Sequence, residues 1–373
     1  MIKTVSIKNF KTLKDVSFDL KSLNLFTGLN GTGKSSFIQS LLLLRQSFFD
    51  TTTVKGYLRL NGSLVNIGTG KDALYQFAEN ENLEFKVQFK DFSYTWGVSS
   101  NSDEDYLTPL ERKKDLEDIY QNLENNSLFN DEFQYLNAEH IGPQLEYATS
   151  QWAIKKNQLG LKGEYAVHYL YSVGNRKEIL FDNLHHSNSK TRKLIQEVNA
   201  WLGEISPNIK INTTPIPNSD RLILGFQYAT KDDVTASFKP PIVGFGIGYV
   251  LPVIVALLSA EKGKLIILEN PEAHLHPKGQ SRIGRLMALA AKNGVQILVE
   301  THSDHVLNGI RVAVKKEDIS PDEVGVFYFD RKVEEREHQA TIHSLKIDKN
   351  GRIDKWPEGF FDEWDNMLNE LIM

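Results

Sequence analysis

Residues Gly28-Leu29-Asn30-Gly31-Thr32-Gly33-Lys34-Ser35 constrain this chain more than any other stretch. They follow a short apolar run at 23–26 and precede a strongly apolar segment at 34–49, so the local order is strand, glycine-rich turn, helix. Glycines at 28, 31 and 33 let successive backbone N–H groups turn inward around an anion, and the helix N-terminus adds the positive end of its dipole. A turn of this pattern is a P-loop: Lys34 reaches the β- and γ-phosphates of a nucleotide and the Ser35 hydroxyl binds Mg²⁺. Ser36 stands next along the helix.

What surrounds that turn is bounded by size and chemistry. A chain of 373 residues can bury a sizeable core, as one large domain or two ordinary ones. No cysteine is present, which excludes disulfides, thiolate metal sites and cysteine nucleophiles, and a reducing cytoplasm is the expected home. No apolar run approaches the roughly 20 residues needed to cross a bilayer, and the first residues lack the regions of a signal peptide. A net charge of -5 argues against nucleic-acid binding over the whole surface. It leaves open a local basic groove built from Lys155, Lys156, Arg176, Lys177, Arg192 and Lys193, although basic residues interspersed with acids are more often solvated surface.

Hydropathy patterning divides the chain into four segments. Residues 1–98 read as an N-terminal lobe, with alternating strands at 3–10, 16–20, 56–60, 83–89 and 93–98 around the P-loop and its helix. Residues 99–235 look like an inserted region: polar to about 130, then extended at 134–141, helical near 190–202, and in strands near 209–212 and 222–227. Residues 236–330 return to regular alternation, with a helix at 247–258, strands at 265–268, 296–299 and 324–329, and helices at 276–291 and 305–314. Such alternation implies a parallel sheet with helices on its faces. The remaining residues, 331–373, form a small C-terminal domain. There Asn350-Gly351 predicts a two-residue hairpin turn, and Phe360, Phe361, Trp364, Met367, Leu368 and Leu371 predict a final helix that docks. The fold class expected is α/β.

Three further clusters carry chemistry. The apolar run 265–268 ends in Glu269, followed by Asn270, Pro271 and Glu272. A strand ending in a carboxylate suits the water shell of Mg²⁺ opposite a P-loop. A second apolar strand ends at Glu300-Thr301-His302-Ser303, where His302 could meet a γ-phosphate. Gly244-Phe245-Gly246 opens the apolar helix at 247–258, and glycines there leave N–H groups free for an anion; the plain alternative is a helix cap. The pairs His274/His276 and His302/His305 have zinc-like spacing, but a metal site is the weaker reading.

These clusters, in this order, resemble the ABC-class ATPases of the SMC, RecF and OLD type. Gly28 to Ser35 corresponds to Walker A, Glu269 to the Walker B acid, and His302 to the switch histidine. More closely, the chain resembles a prokaryotic branch of AAA-family ATPases that carries a short C-terminal domain of unknown function. The matching stretches are Tyr135-Leu136-Asn137-Ala138-Glu139-His140-Ile141-Gly142-Pro143, Val243-Gly244-Phe245-Gly246, 269–277 and Trp356-Pro357-Glu358-Gly359-Phe360-Phe361. Defence ATPases of Septu-like and OLD-like systems are relatives. The resemblance implies an ABC-type P-loop head with an antiparallel lobe, a parallel-sheet core lobe and an inserted α/β region. ATP and Mg²⁺ are the implied cofactors, with Ser35 and Glu269 as metal ligands. The signature Gly244-Phe245-Gly246 would complete the site of a second copy, in a homodimer or higher homo-oligomer.

Two departures qualify that picture. Glycine stands where the signature serine is usual, and Asn270 stands where the family places the acid that activates water. An amide can orient water but cannot take its proton, so hydrolysis is expected to be slow, or Glu272 serves instead. No effector domain is recognisable, and the resemblance implies control of a separate effector, such as a nuclease in anti-phage defence. The rival expectation is a RecF-like maintenance ATPase that binds DNA directly.

Overall fold

The computed structural model describes residues 1–49, 56–111, 116–333 and 338–372. The chain divides into two compact units. The first comprises Met1–Asn130, Val324–Lys346 and Ile353–Met373; the second comprises Asp131–Glu323 and Ile347–Arg352.

In the first unit an antiparallel sheet runs in the order Leu13–Asp19, Ile2–Phe10, Asn82–Phe89, Ser93–Ser100, Tyr106–Pro109, Leu58–Arg59. Its period of two is visible in the register. Val5 and Ile7 sit opposite Val87 and Phe85, and all four are buried. The P-loop strand, Leu23–Gly28, pairs parallel with Val324–Val333, which in turn pairs antiparallel with His338–Leu345. Phe18 and Phe26 pack on Phe37 of the helix Lys34–Phe49, with centroids 4.3 and 4.6 Å from it, and Phe327 and Phe329 pack on Phe18 and Phe26 in turn. This aromatic core holds both the strand that enters the loop and the helix that leaves it.

The second unit contains the parallel strands Phe133–Leu136, Leu265–Glu269 and Gln296–Glu300, with Leu268 opposite both Leu136 and Val299. They are almost wholly apolar because both faces are covered. Two helices, Pro277–Lys292 and Asp304–Lys315, pack tightly on each other. A Cβ on Gly309 would stand 2.1 Å from the Ser281 carbonyl oxygen, and one on Gly284 2.3 Å from that of Val306. The apolar helix Phe245–Leu258 is buried from Ile247 onward over most of its length. A smaller antiparallel sheet joins Ile209–Pro215, Arg221–Tyr228 and Tyr147–Ala148.

The α/β class and the parallel alternation are as expected; three local expectations need correction. The extended stretch at 134–141 is a strand only at Phe133–Leu136. The turn at Asn350-Gly351 is a wider loop: Asp348 N–H bonds to the Arg352 carbonyl, and the positive φ (76°) falls on Gly351 alone. Asp348 causes this, because its carboxylate accepts the N–H groups of Asn350 and Arg352, both at 2.8 Å. The final helix, Glu363–Ile372, buries none of its residues; Trp364 is 72% exposed. The docking is done before the helix begins, by Phe360 packed between Tyr328 and Trp356.

Candidate functional site

The phosphate loop is shaped by its glycines. Gly28, Gly31 and Gly33 have φ of 140°, 75° and 108°, a region that side chains rarely enter. Gly28 has a second reason to be glycine: a Cβ there would lie 2.1 Å from the Phe329 carbonyl oxygen on the paired strand. Lys34 is buried, and its ammonium sits inside the loop, donating to the carbonyls of Gly28 (2.9 Å) and Leu29 (2.8 Å). The Thr32 hydroxyl donates to the Leu29 carbonyl at 2.7 Å and braces the turn from within. Leu29, Asn30 and Ser35 are exposed and Ser36 is half-buried. A lysine drawn into a glycine cradle at the start of a 16-residue helix is a cationic pocket lined with backbone dipoles. Arg331 braces its rim through the Gly31 carbonyl at 2.8 Å.

The acid turn in the second unit is built by side chains. Glu269 accepts from the Tyr135 hydroxyl on one oxygen and from the Ala138 N–H on the other, each at 3.0 Å. Burial pushes its carboxyl above the usual range, and these two hydrogen bonds oppose the shift. Each oxygen accepts one bond and keeps lone-pair capacity for the water shell of a cation. Burial also raises the Tyr135 hydroxyl, with the Glu269 charge adding to the effect, so it remains a donor. Asn270 has φ 47°, donates its N–H to the Glu300 carbonyl at 2.9 Å, and has a buried Oδ1 without a partner. Glu272 is buried and accepts from the His302 N–H at 3.1 Å and from the Thr301 hydroxyl. Its other oxygen is buried and unpartnered, and burial raises its pKa. Two orphaned acceptors in one turn suit a donor such as water. The His302 ring is exposed at the end of its strand.

Gly244 caps the helix Phe245–Leu258 with φ 107° and no atom within 4 Å of where its Cβ would be; Phe245 is 60% exposed. Gly246 is different, since a Cβ there would meet the His274 carbonyl oxygen at 2.4 Å. Gly246 therefore has a packing role, and a bulky residue there would disturb the turn before reaching any partner.

Of the zinc-spaced histidines, His276 caps the helix Pro277–Lys292 through the Lys278 N–H, and His274 packs edge-on to Tyr249 at 5.0 Å. Among the described residues no group of three or more histidine and carboxylate side chains could hold a metal ion. Three of the six basic residues weighed for a nucleic-acid groove are ion-paired: Lys156 with Asp131, Lys177 with Glu261 and Arg192 with Asp182. In the sequence Tyr135 and Ala138 stand out only as part of a matching stretch, and Arg331 does not stand out at all. Nothing in the sequence relates a residue at 331 to a turn at 31.

A glycine cradle holding a lysine, on a strand-turn-helix of an α/β fold, defines a P-loop nucleotide-binding protein. The chain belongs to the AAA domain family described as "AAA domain, putative AbiEii toxin, Type IV TA system", whose model matches residues 23–308. Residues 319–371 match a second family, "Protein of unknown function (DUF3696)". Among curated proteins the chain is similar to the DNA replication and repair protein RecF of Cytophaga hutchinsonii, 35% identical over 92 residues. That match covers 24% of this chain and spans 22% of the length of RecF. Similar solved structures include an SmcHead bound to the C-winged helix domain of ScpA (TM-score 0.48, 15% identity, 92% of this chain and 98% of that one). Another is the SMC head domain from Thermotoga maritima (TM-score 0.46, 13% identity, 93% and 99%).

Proposed function

We propose that this chain binds and slowly hydrolyses ATP with Mg²⁺, closes around the nucleotide as a homodimer or higher homo-oligomer, and thereby controls a separate effector. The observation that carries the reading is the Lys34 ammonium inside the glycine cradle, beside an exposed Ser35 hydroxyl at a helix N-terminus. Magnesium, when bound, neutralises charge on the phosphates; Ser35 and Glu269 are the ligands this reading assigns. Glu272 is the residue assigned to take the proton of the attacking water, because Asn270 cannot. A carboxyl raised by burial is a better base than a solvated one. His302 is assigned to the γ-phosphate and Gly244 and Phe245 to the second copy, their exposure at a helix start being the support. We assign the relay of closure to residues 99–235.

The family description, which names a toxin of a type IV TA system, supports a role in prokaryotic conflict such as anti-phage defence, with a nuclease as the candidate effector. The cytoplasm is the compartment this reading implies. The likeness to RecF supports a second reading, direct DNA binding, against which the paired state of Lys156, Lys177 and Arg192 weighs. Sedimentation with Mg²⁺-ATP tests the main reading. Wild type should dimerise, while Phe245→Ala should weaken the dimer about tenfold, as loss of one interface anchor does, and bind nucleotide normally. Wild type that stays monomeric with ATP, yet shifts on a DNA gel, favours the second reading.

A further inference from the structure

Three segments of the second unit meet in one aromatic cluster. Phe245 and Tyr249 stand one turn apart on the same face of the helix Phe245–Leu258. The His274 ring of the acid turn lies against both, 5.7 Å from Phe245 and edge-on to Tyr249 at 5.0 Å. Tyr249 also stacks on the buried His140 ring, with centroids 4.7 Å apart, and His140 Nδ1 donates to the Tyr249 carbonyl at 3.3 Å. The segment that carries His140 reaches Phe245 as well, since a Cβ on Gly142 would touch that ring at 3.4 Å.

The cluster reaches Glu269 through a single residue. The Tyr249 hydroxyl donates to the Ala138 carbonyl, and the Ala138 N–H donates to Glu269 Oε2 at 3.0 Å. Both peptide groups of Ala138 are therefore committed, one to the helix and one to the carboxylate. Ala138 lies just past the strand Phe133–Leu136, outside any ladder, so these two bonds fix where it stands. A phenylalanine at 249 would make the same ring contacts with His140 and His274; the hydroxyl adds the bond to Ala138.

We propose that Tyr249 is a positioning residue that ties contact with a second copy at Phe245 to the placement of Glu269. The assignment rests on the reading above, in which Phe245 meets the second copy and Glu269 serves Mg²⁺. Phe245 is exposed, so a partner can press on it. That pressure acts on His274 and, one turn along the helix, on Tyr249, whose hydroxyl carries it to Ala138 and so to the carboxylate oxygen. Cation affinity then depends on association, and association depends on the cation by the same factor.

Mn²⁺ binding, read by electron paramagnetic resonance on dimeric protein saturated with a non-hydrolysable ATP analogue, tests it alongside sedimentation. Tyr249→Phe keeps the ring contacts and should weaken Mn²⁺ affinity about three- to tenfold, the worth of one hydrogen bond. Reciprocity limits any weakening of the dimer to the same factor. Phe245→Ala, which cuts the link at its start, should also weaken Mn²⁺ affinity, and the double variant should lose no more than the larger single loss. Wild-type Mn²⁺ affinity in folded Tyr249→Phe overturns the proposal, and so do losses that multiply in the double variant. His274→Asn carries the test if Tyr249→Phe does not fold: it removes the ring between Phe245 and Tyr249, and asparagine suits the positive φ (62°) there. It should weaken Mn²⁺ as well, and unchanged affinity in that variant overturns the proposal equally. If Phe245→Ala dimerises as wild type does, the second-copy reading fails on its own, whatever Tyr249→Phe does to Mn²⁺.

Discussion

In the phosphate loop every residue with positive φ is a glycine, at 28, 31 and 33; in the acid turn the positive-φ residues are Asn270 and His274. The loop is therefore a backbone device. Its shape follows from where Cβ atoms are missing, and its one charge, Lys34, rests on carbonyls of the loop itself. The acid turn is a side-chain device, with Glu272 buried and Glu269 half-buried, both at a cost and each held by donors from neighbouring segments. Asparagine tolerates left-handed backbone better than other non-glycine residues. Asn270 thus suits its conformation, and its presence is not explained by chemistry alone. A glutamate at 270 would face the same backbone with less tolerance.

That contrast can be broken in several places. The largest effect is expected in hydrolysis. Glu272→Gln should slow single-turnover cleavage by about 10² to 10⁴, the usual contribution of a general base, whereas Asn270→Glu should gain little. A large gain from Asn270→Glu with no loss from Glu272→Gln would transfer the role to position 270. Gly28→Ala comes next. Its Cβ meets the Phe329 carbonyl at 2.1 Å in a conformation alanine avoids, so chemical denaturation should show a loss of about 3 kcal/mol or more. Asn270→Val should cost about 1–2 kcal/mol for left-handed strain, while Asn270→Gly should be nearly neutral. Equal stability of the valine and glycine variants would remove the backbone explanation.

The smallest effect is a pH dependence. Burial raises the folded-state pKa of Glu272 above its ordinary value of 4.5, so the native state binds the proton more tightly than the unfolded chain. Stability is then lost as pH rises from the ordinary carboxyl range through the raised value. Glu272→Gln should melt above wild type at pH 7, and the gain should fade below about pH 4. A melting difference that is constant from pH 4 to 8 would show that burial of the charge is not what the substitution relieves.

The same contrast explains what was legible in the sequence. A backbone device is written in glycine spacing, so residues 28–35 could be read with strand and helix attached. The apolar strands of the second unit were equally plain, since burial on both faces leaves uninterrupted Val, Ile and Leu. The donors to Glu269 were not, because Tyr135 and Ala138 lie more than 130 residues away and only the parallel pairing of Phe133–Leu136 with Leu265–Glu269 brings them near. Gly246 reads as a ligand glycine in the sequence, and the structure adds a packing demand that depends on where the His274 carbonyl lies. The final helix shows the limit of periodicity. Its apolar stripe is real, yet among the described residues none of it is buried, and Phe360, just before the helix, supplies the anchor.

The central claim is that residues 28–35 hold a nucleotide through Lys34. Isothermal titration of Mg²⁺-ATP into wild type and Lys34→Ala, with melting curves on both, addresses it directly. Loss of charge-assisted hydrogen bonds to phosphate should weaken binding at least about 10- to 100-fold, with the melting curves showing that both proteins are folded at the temperature of the titration. Equal affinity of the two proteins for Mg²⁺-ATP would contradict the account.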